Sequence, residues 1–200
     1  METLDQIGMT TGTDKASSFH DYLRTYDEFF SPLRHEPIRL LEMGVLGGHS
    51  LVAWSKYFDH PDARIDGIDT EIRRCQPIQD TRVRVLLGDQ TNVNAVWPGP
   101  FDIIIDDAGH FASQQIAAFG IYWGKWLKPG GLYVIEDLHT YASPAHCDGG
   151  KNIIRFLNDI CIEIHGKGDR AVGKVDPNDK WASIETITFR KGMAVFRKRR

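Results

Sequence analysis

Two apolar runs in this chain each end in an acidic doublet, and a histidine follows the first. The runs are Phe101-Asp102-Ile103-Ile104-Ile105-Asp106-Asp107-Ala108-Gly109-His110 and Leu132-Tyr133-Val134-Ile135-Glu136-Asp137. Ile and Val in succession, ending in charge, read as buried parallel strands that reach the mouth of an α/β sheet. Ligands in such sheets bind outside the carboxyl ends of the strands. Four carboxylates and an imidazole at one mouth repel one another unless a positive charge sits among them. A hard divalent cation fits, because it prefers carboxylate oxygens and water. The alternative is that these acids only cap the helices that follow. Two doublets on neighbouring strands, with His110 beside them, favour a site.

A glycine turn supplies a second kind of chemistry. Leu41-Glu42-Met43-Gly44-Val45-Leu46-Gly47-Gly48 lies between the expected first strand and first helix, where glycine lets the backbone approach a ligand. Its spacing is not the dinucleotide G-x-G-x-x-G pattern. Glu42 is awkward beside a pyrophosphate and suits a cationic ligand such as S-adenosylmethionine (SAM), which carries an ammonium, a sulfonium and no phosphate. Asp69, ending the second strand, is placed for ribose hydroxyls. Asp89, ending the third, is placed for the adenine side.

The elements that must position these groups alternate along the chain. Strands are expected at Ile38 to Met43, Arg64 to Ile68, Val83 to Leu87, Phe101 to Asp106 and Leu132 to Glu136. Helices are expected at Ser50 to Tyr57, Phe111 to Trp126 (closed by Lys128-Pro129-Gly130-Gly131) and Lys151 to Ile164. Two last strands, Trp181 to Arg190 and Met193 to Arg199, flank the turn candidate Lys191-Gly192. The fold class is therefore α/β: a doubly wound, mostly parallel, Rossmann-like seven-stranded sheet with a C-terminal antiparallel hairpin. Residues 1–36 read as an N-terminal helical segment, with an amphipathic helix from Phe19 to Phe30, and residues 37–200 as the main domain.

Composition narrows the classes. The chain has 200 residues, 42% of them hydrophobic, which suits one globular domain with a real core. Its net charge of −3 argues against nucleic acid as a partner. The tail Arg197-Lys198-Arg199-Arg200 reads as a solvated end. Cys75, Cys147 and Cys161 are odd in number and widely spaced, which suits a reducing cytoplasm rather than a disulfide framework. The acidic start Met1-Glu2-Thr3-Leu4-Asp5 has no apolar core for a signal peptide, and no apolar run reaches the ~20 residues of a membrane span. A cytoplasmic protein free of membrane is expected; self-assembly into a homo-oligomer stays open.

Taken together, Glu42-x-Gly44-x-x-Gly47, Asp69, Gly88-Asp89, Asp106-Asp107, Lys128-Pro129-Gly130-Gly131 and Glu136-Asp137 resemble the class I SAM-dependent methyltransferases. Within that superfamily the chain resembles the metal-dependent sugar O-methyltransferases of macrolide and related antibiotic pathways. Gly12-Thr13-Asp14-Lys15 with His20 and Tyr22, Leu41-Glu42-Met43-Gly44-Val45, Asp106-Asp107-Ala108-Gly109-His110 and Ile135-Glu136-Asp137-Leu138 carry that likeness. It differs in having Ala108-Gly109 where Gly-Ser is commoner.

The resemblance implies Asp107, Glu136 and Asp137 as ligands of Mg²⁺ (or Mn²⁺) and His110 as general base. An imidazole's ordinary pKa of about 6.5 suits that task. It implies SAM bound by Glu42, Gly44, Gly47, Gly48, Asp69, Asp89, Gln90 and Asp106, with Asp14 and Lys15 reaching in from an N-terminal lid. His139, Tyr141 and His146 are candidates to line the acceptor pocket of a small hydroxylated molecule. Trp123, Trp126 and Trp181 read as packing residues. His35, His49, His60 and His165 read as surface or core histidines. A catechol or phenol acceptor, an NAD-dependent oxidoreductase and a non-catalytic partner-binding domain are the alternatives.

Overall fold

The computed structural model describes every residue except Val93, Ala95, Val96, Cys147, Gly149 and residues 167–180. The cysteine reading for Cys147 lies outside the described residues; Cys75 and Cys161 are free thiols. Among the described residues, seven strands form one sheet: β1 Arg39–Met43, β2 Arg64–Asp69, β3 Val83–Leu87, β4 Phe101–Asp106, β5 Leu127–Ile135, β6 Ile184–Arg190 and β7 Met193–Lys198. Their order is β3-β2-β1-β4-β5-β7-β6. Pairs from β3 to β5 are parallel, and β7 is antiparallel to both β5 and β6. The helices are α1 Leu4–Thr11, α2 Leu23–Phe30, α3 His49–Tyr57, α4 Ala112–Lys125 and α5 Ile153–Gly166.

Both faces of the sheet are covered, which is why its central strands read as unbroken apolar runs. Leu40, Ile103, Ile105 and Val134 pack with Ile7, Tyr26, Phe30 and Trp54 on the α1–α3 side. Leu41, Ile104, Tyr133 and Ile135 pack with Phe119, Tyr122, Trp123 and Leu157 on the α4–α5 side. Trp126 and Trp181 are also buried on that side. The N-terminal segment is thus part of the core, its first helix closed by a Thr3–Gln6 capping box and by Gly12 at positive φ.

Two boundaries and the tail differ most from expectation, and β6 begins at Ile184 rather than Trp181. The helix expected from Phe19 begins at Leu23, because Asp21 takes a left-handed φ of 59° that no helix accommodates. The strand expected from Leu132 begins at Leu127, which pairs with Phe101 across an irregularity that absorbs the Pro-Gly-Gly run. The basic tail is partly built in: Lys198 Nζ donates to the carbonyls of Trp123 (2.7 Å) and Leu127 (2.8 Å).

Arg82 ties the end of α3 to the start of β3. Its guanidinium donates to the carbonyls of Ser55 (2.6 Å) and Phe58 (2.6 Å) and to Asp80 Oδ2 (2.6 Å). The hydrogen bond from Arg82 holds the Asp80 carboxyl below its ordinary range. A carboxyl lowered by folding contributes stability above its unfolded pKa and loses it as pH falls through the folded value. Asp80→Asn is therefore expected to cost about 1 kcal/mol at pH 7, the pair being partly exposed, and nothing once both states are protonated. Thermal melts of both proteins across pH 2 to 7 check this.

Candidate active site

A cavity of about 680 Å³ opens where β1, β2, β3 and β4 end. Gly44, Gly47, Asp69, Asp89 and Gln90 line one part of it, and Asp107, His110 and Asp137 another. Asp14, Lys15 and His49 also reach it.

The loop side is held from within. Asp69 Oδ2 accepts from Val45 N (2.8 Å) and Leu46 N (3.0 Å), and Oδ1 accepts from Glu71 N (2.7 Å). Burial pushes this carboxyl up, but the three backbone donors outweigh it and hold it low. Asp69 therefore shapes the glycine loop and keeps about one of its four acceptor positions for a ligand. Asp89 Oδ1 accepts from Thr91 N and Thr91 Oγ1, both at 2.7 Å. Gln90 is buried and its Nε2 has no partner among the described residues, so it is a cavity-lining donor open to an acceptor.

Four residues expected at the cofactor or metal lie behind the lining. Gly48 caps α3 with φ 80°. Asp106 is buried beneath the site, takes a 3.3 Å hydrogen bond from Tyr133 Oη, and is pushed up to about 7 by that burial. Glu42 is wholly buried and accepts from Ser50 Oγ (2.8 Å) and Trp54 Nε1 (3.0 Å). The cation it meets is internal: Lys15 Nζ stands 3.4 Å from its Oε1. Glu136 is buried too, its oxygens taken by Lys15 Nζ (2.9 Å) and by the Tyr26 hydroxyl. Lys15 also bonds Asp107 Oδ2. Burial alone would lower this ammonium, but Asp107, Glu136 and Glu42 outweigh it and hold it well above the lysine range.

Beyond β4 and β5 the chain turns sharply twice, at His110 (φ 57°) and Asp137 (φ 53°). Asp137 thereby leaves the strand direction of Glu136, and its Oδ2 lies 3.6 Å from His110 Nε2. Tyr22 Oη donates to Asp137 Oδ1 at 2.8 Å. Asp107, His110 and Asp137 each offer a ligand atom within 4.8 Å of the others. His139 is exposed, with Nδ1 3.9 Å from Asp137 Oδ1, and the His146 ring lies 6.2 Å from that of His110. Tyr141 is half exposed and lines a separate cavity with Asn152 and Arg155. Of the remaining histidines, His49 bonds the Thr11 carbonyl (2.8 Å), His35 pairs with Asp59, and His60 accepts from Asp62 N.

The geometry joins a glycine-loop cleft to a carboxylate–imidazole cluster. The chain is 31% identical, over 98% of its length, to 8-demethyl-8-(2-methoxy-alpha-L-rhamnosyl)-tetracenomycin-C 3'-O-methyltransferase of Streptomyces olivaceus, of which it covers 54%. It is 34% identical, over 72% of its length, to demethylmacrocin O-methyltransferase of Streptomyces fradiae, covering 39% of that protein. All of it superimposes, with a TM-score of 0.84 and 26% identity, on 54% of the MycE methyltransferase of the mycinamycin biosynthetic pathway, solved in complex with Mg and SAH. The chain is a homologue of sugar O-methyltransferases and has the class I methyltransferase fold. No protein-family model matches it. It spans about half the length of the curated relatives it matches. The methyltransferase fold accounts for β7 lying antiparallel between β5 and β6. Among the described residues no helix is long and apolar enough to cross a membrane.

The residues missed by sequence reasoning are Tyr22 and Tyr26 as partners of the acids, and His49 as a lining residue. A signal existed for the tyrosines. They stand four apart, the spacing of one helix face, and a buried phenol needs a polar partner.

Proposed function

We propose that this chain transfers a methyl group from SAM to a hydroxyl on the sugar of a small natural product, with Mg²⁺ or Mn²⁺ in the site. The observation that carries this reading is one cavity that joins the glycine loop and Asp69 to Asp107, His110 and Asp137. The sugar rests on the relatives: one is named as a rhamnosyl-tetracenomycin 3'-O-methyltransferase, and another MycE complex contains mycinamycin VI.

The donor set fits a hard cation, since Asp107 and Asp137 present carboxylate oxygens within reach of one another. Glu136 stands behind them, engaged by Lys15 and Tyr26. A bound divalent ion would orient neighbouring acceptor hydroxyls and lower their pKa. His110 takes the hydroxyl proton as the new oxygen–methyl bond forms and the sulfonium–methyl bond breaks. Asp137, with Oδ2 3.6 Å from Nε2, stabilises the imidazolium that results, and Tyr22 fixes Asp137. Gln90 Nε2, without a partner among the described residues, suits a nucleoside lying along the loop.

The test is thermal denaturation with S-adenosylhomocysteine, with and without Mg²⁺, beside NADH. A ligand that binds only the native state stabilises it by about 2.7 kcal/mol at a hundred times Kd. A rise with S-adenosylhomocysteine and a further rise with Mg²⁺ are expected. A rise with NADH alone would replace the methyltransferase reading with a dehydrogenase one.

A further inference from the structure

Lys15 is the most unusual side chain in the site. It is 1% exposed, and three carboxylates surround it: Glu136 at 2.9 Å, Glu42 at 3.4 Å, and Asp107 in direct hydrogen bond. An ammonium has three N–H donors; two bond Asp107 and Glu136, and Glu42 Oε1 is a charge neighbour rather than a hydrogen-bond partner. Two of its donors are therefore spent on the acids at the mouth of the sheet, although the residue reaches the cavity wall. Its backbone is equally committed, the carbonyl accepting from Tyr22 N (2.8 Å) and Leu23 N (3.1 Å) where the chain enters α2.

Without a cation, Glu42 and Glu136 would bury two negative charges beside that of Asp107 at the cavity wall. Burying uncompensated charge is strongly destabilising. Two of these acids belong to the set expected to meet the metal, and the third, Glu42, lies farther in and is bonded to Ser50 and Trp54.

We propose that Lys15 is a built-in counter-cation that shares Asp107 with the divalent ion and holds Glu136 behind it. It is a positioning residue. It holds both carboxylates in place before the ion arrives, and its charge opposes the ion once it is there. The ion is thereby kept exchangeable rather than locked in. The inference rests on the metal-assisted reading above, and it moves Lys15 from the cofactor to the metal.

The experiment compares wild type with Lys15→Met, which keeps the length of the side chain and removes its charge. Mg²⁺ binding is measured by calorimetry, and melting temperature with EDTA or with Mg²⁺. The variant is expected to melt lower in EDTA and to bind Mg²⁺ roughly tenfold tighter or more, because a unit charge within a few ångströms of the ligands has been removed. A lysine that only supports the fold would lower the melting temperature and leave Mg²⁺ affinity unchanged. Equal affinities in the two proteins therefore overturn the proposal while the metal reading stands. Absence of Mg²⁺ binding in both overturns the metal reading, and this inference with it. If the variant is unfolded in EDTA, saturating Mg²⁺ is expected to restore its fold; a chain unfolded in both conditions also overturns the proposal.

Discussion

His110→Ala is expected to lower methyl transfer by about 10²–10⁴-fold, the usual worth of a general base, and to leave S-adenosylhomocysteine binding within about twofold of wild type. The separation of these effects follows from where His110 sits. Its backbone is held in the left-handed region at φ 57°, and Thr140 Oγ1 anchors its carbonyl at 3.2 Å. The ring points across the cavity towards Asp137, away from the loop that Asp69 organises. Nδ1 is buried without a hydrogen-bond partner among the described residues. The imidazole therefore contributes no hydrogen bond to the glycine loop that its loss would remove. The assay reads S-adenosylhomocysteine release with an acceptor found by screening sugar-bearing natural products. Turnover within about twofold of wild type would remove His110 from the proton transfer. Equal loss of turnover and cofactor binding would make it a structural residue of the cleft.

The parts of this site that could be read from the chain are those fixed by burial. Ile103, Ile104 and Ile105 must be inside, so β4 ends where charge begins, and Asp107 and His110 fall at the sheet's mouth. The same logic places Glu136 and Asp137 after Ile135. The turn at Asp137 decides which of that pair reaches His110, and an apolar pattern does not encode it. Glu42 shows the limit more sharply. Its position before the glycine loop suggested a cationic ligand, and the cation it meets is a lysine from 27 positions earlier in the chain. Lys15, Tyr22 and Tyr26 bond acids 92 to 121 residues away. Such contacts have no local spacing; they exist because α1 and α2 pack on the same face as α3. The boundaries at Leu23 and Leu127 failed for a related reason. Phe19 and the Pro-Gly-Gly run carry strong local signals, but a left-handed Asp21 and pairing with Phe101 override them.

Gly44→Ala is expected to damage both halves of the site at once. Gly44 has φ 89°, and a Cβ placed on it would lie 2.1 Å from the Asp107 carbonyl oxygen, 2.7 Å from its carbon and 2.8 Å from Ala108 Cα. These are backbone atoms, so no side chain can swing aside. The neighbouring bonds leave little room for compensation. Asp107 N donates to Met43 O at 2.9 Å, and Gly44 N donates to Ile68 O at 2.9 Å. Relieving the clash must part the loop after β1 from the turn after β4. The first carries the proposed cofactor contacts and the second carries Asp107 and His110. Positive φ adds about 1–2 kcal/mol for any residue with a Cβ. The expected result is a lower melting temperature, with affinities for both S-adenosylhomocysteine and Mg²⁺ weakened by roughly tenfold or more, equivalent to at least about 1.4 kcal/mol each. Gly48→Ala is the comparison. It shares a positive φ of 80°, but its Cβ would meet the Cys75 sulfur at 2.7 Å, the movable end of a side chain. That variant should lose stability through backbone strain and keep Mg²⁺ affinity, since nothing it touches bears a metal ligand. If Gly44→Ala weakened only the cofactor, the loop and the acidic turn would be mechanically independent. Loss of both shows that one backbone contact sets the distance between the bound nucleoside and the base.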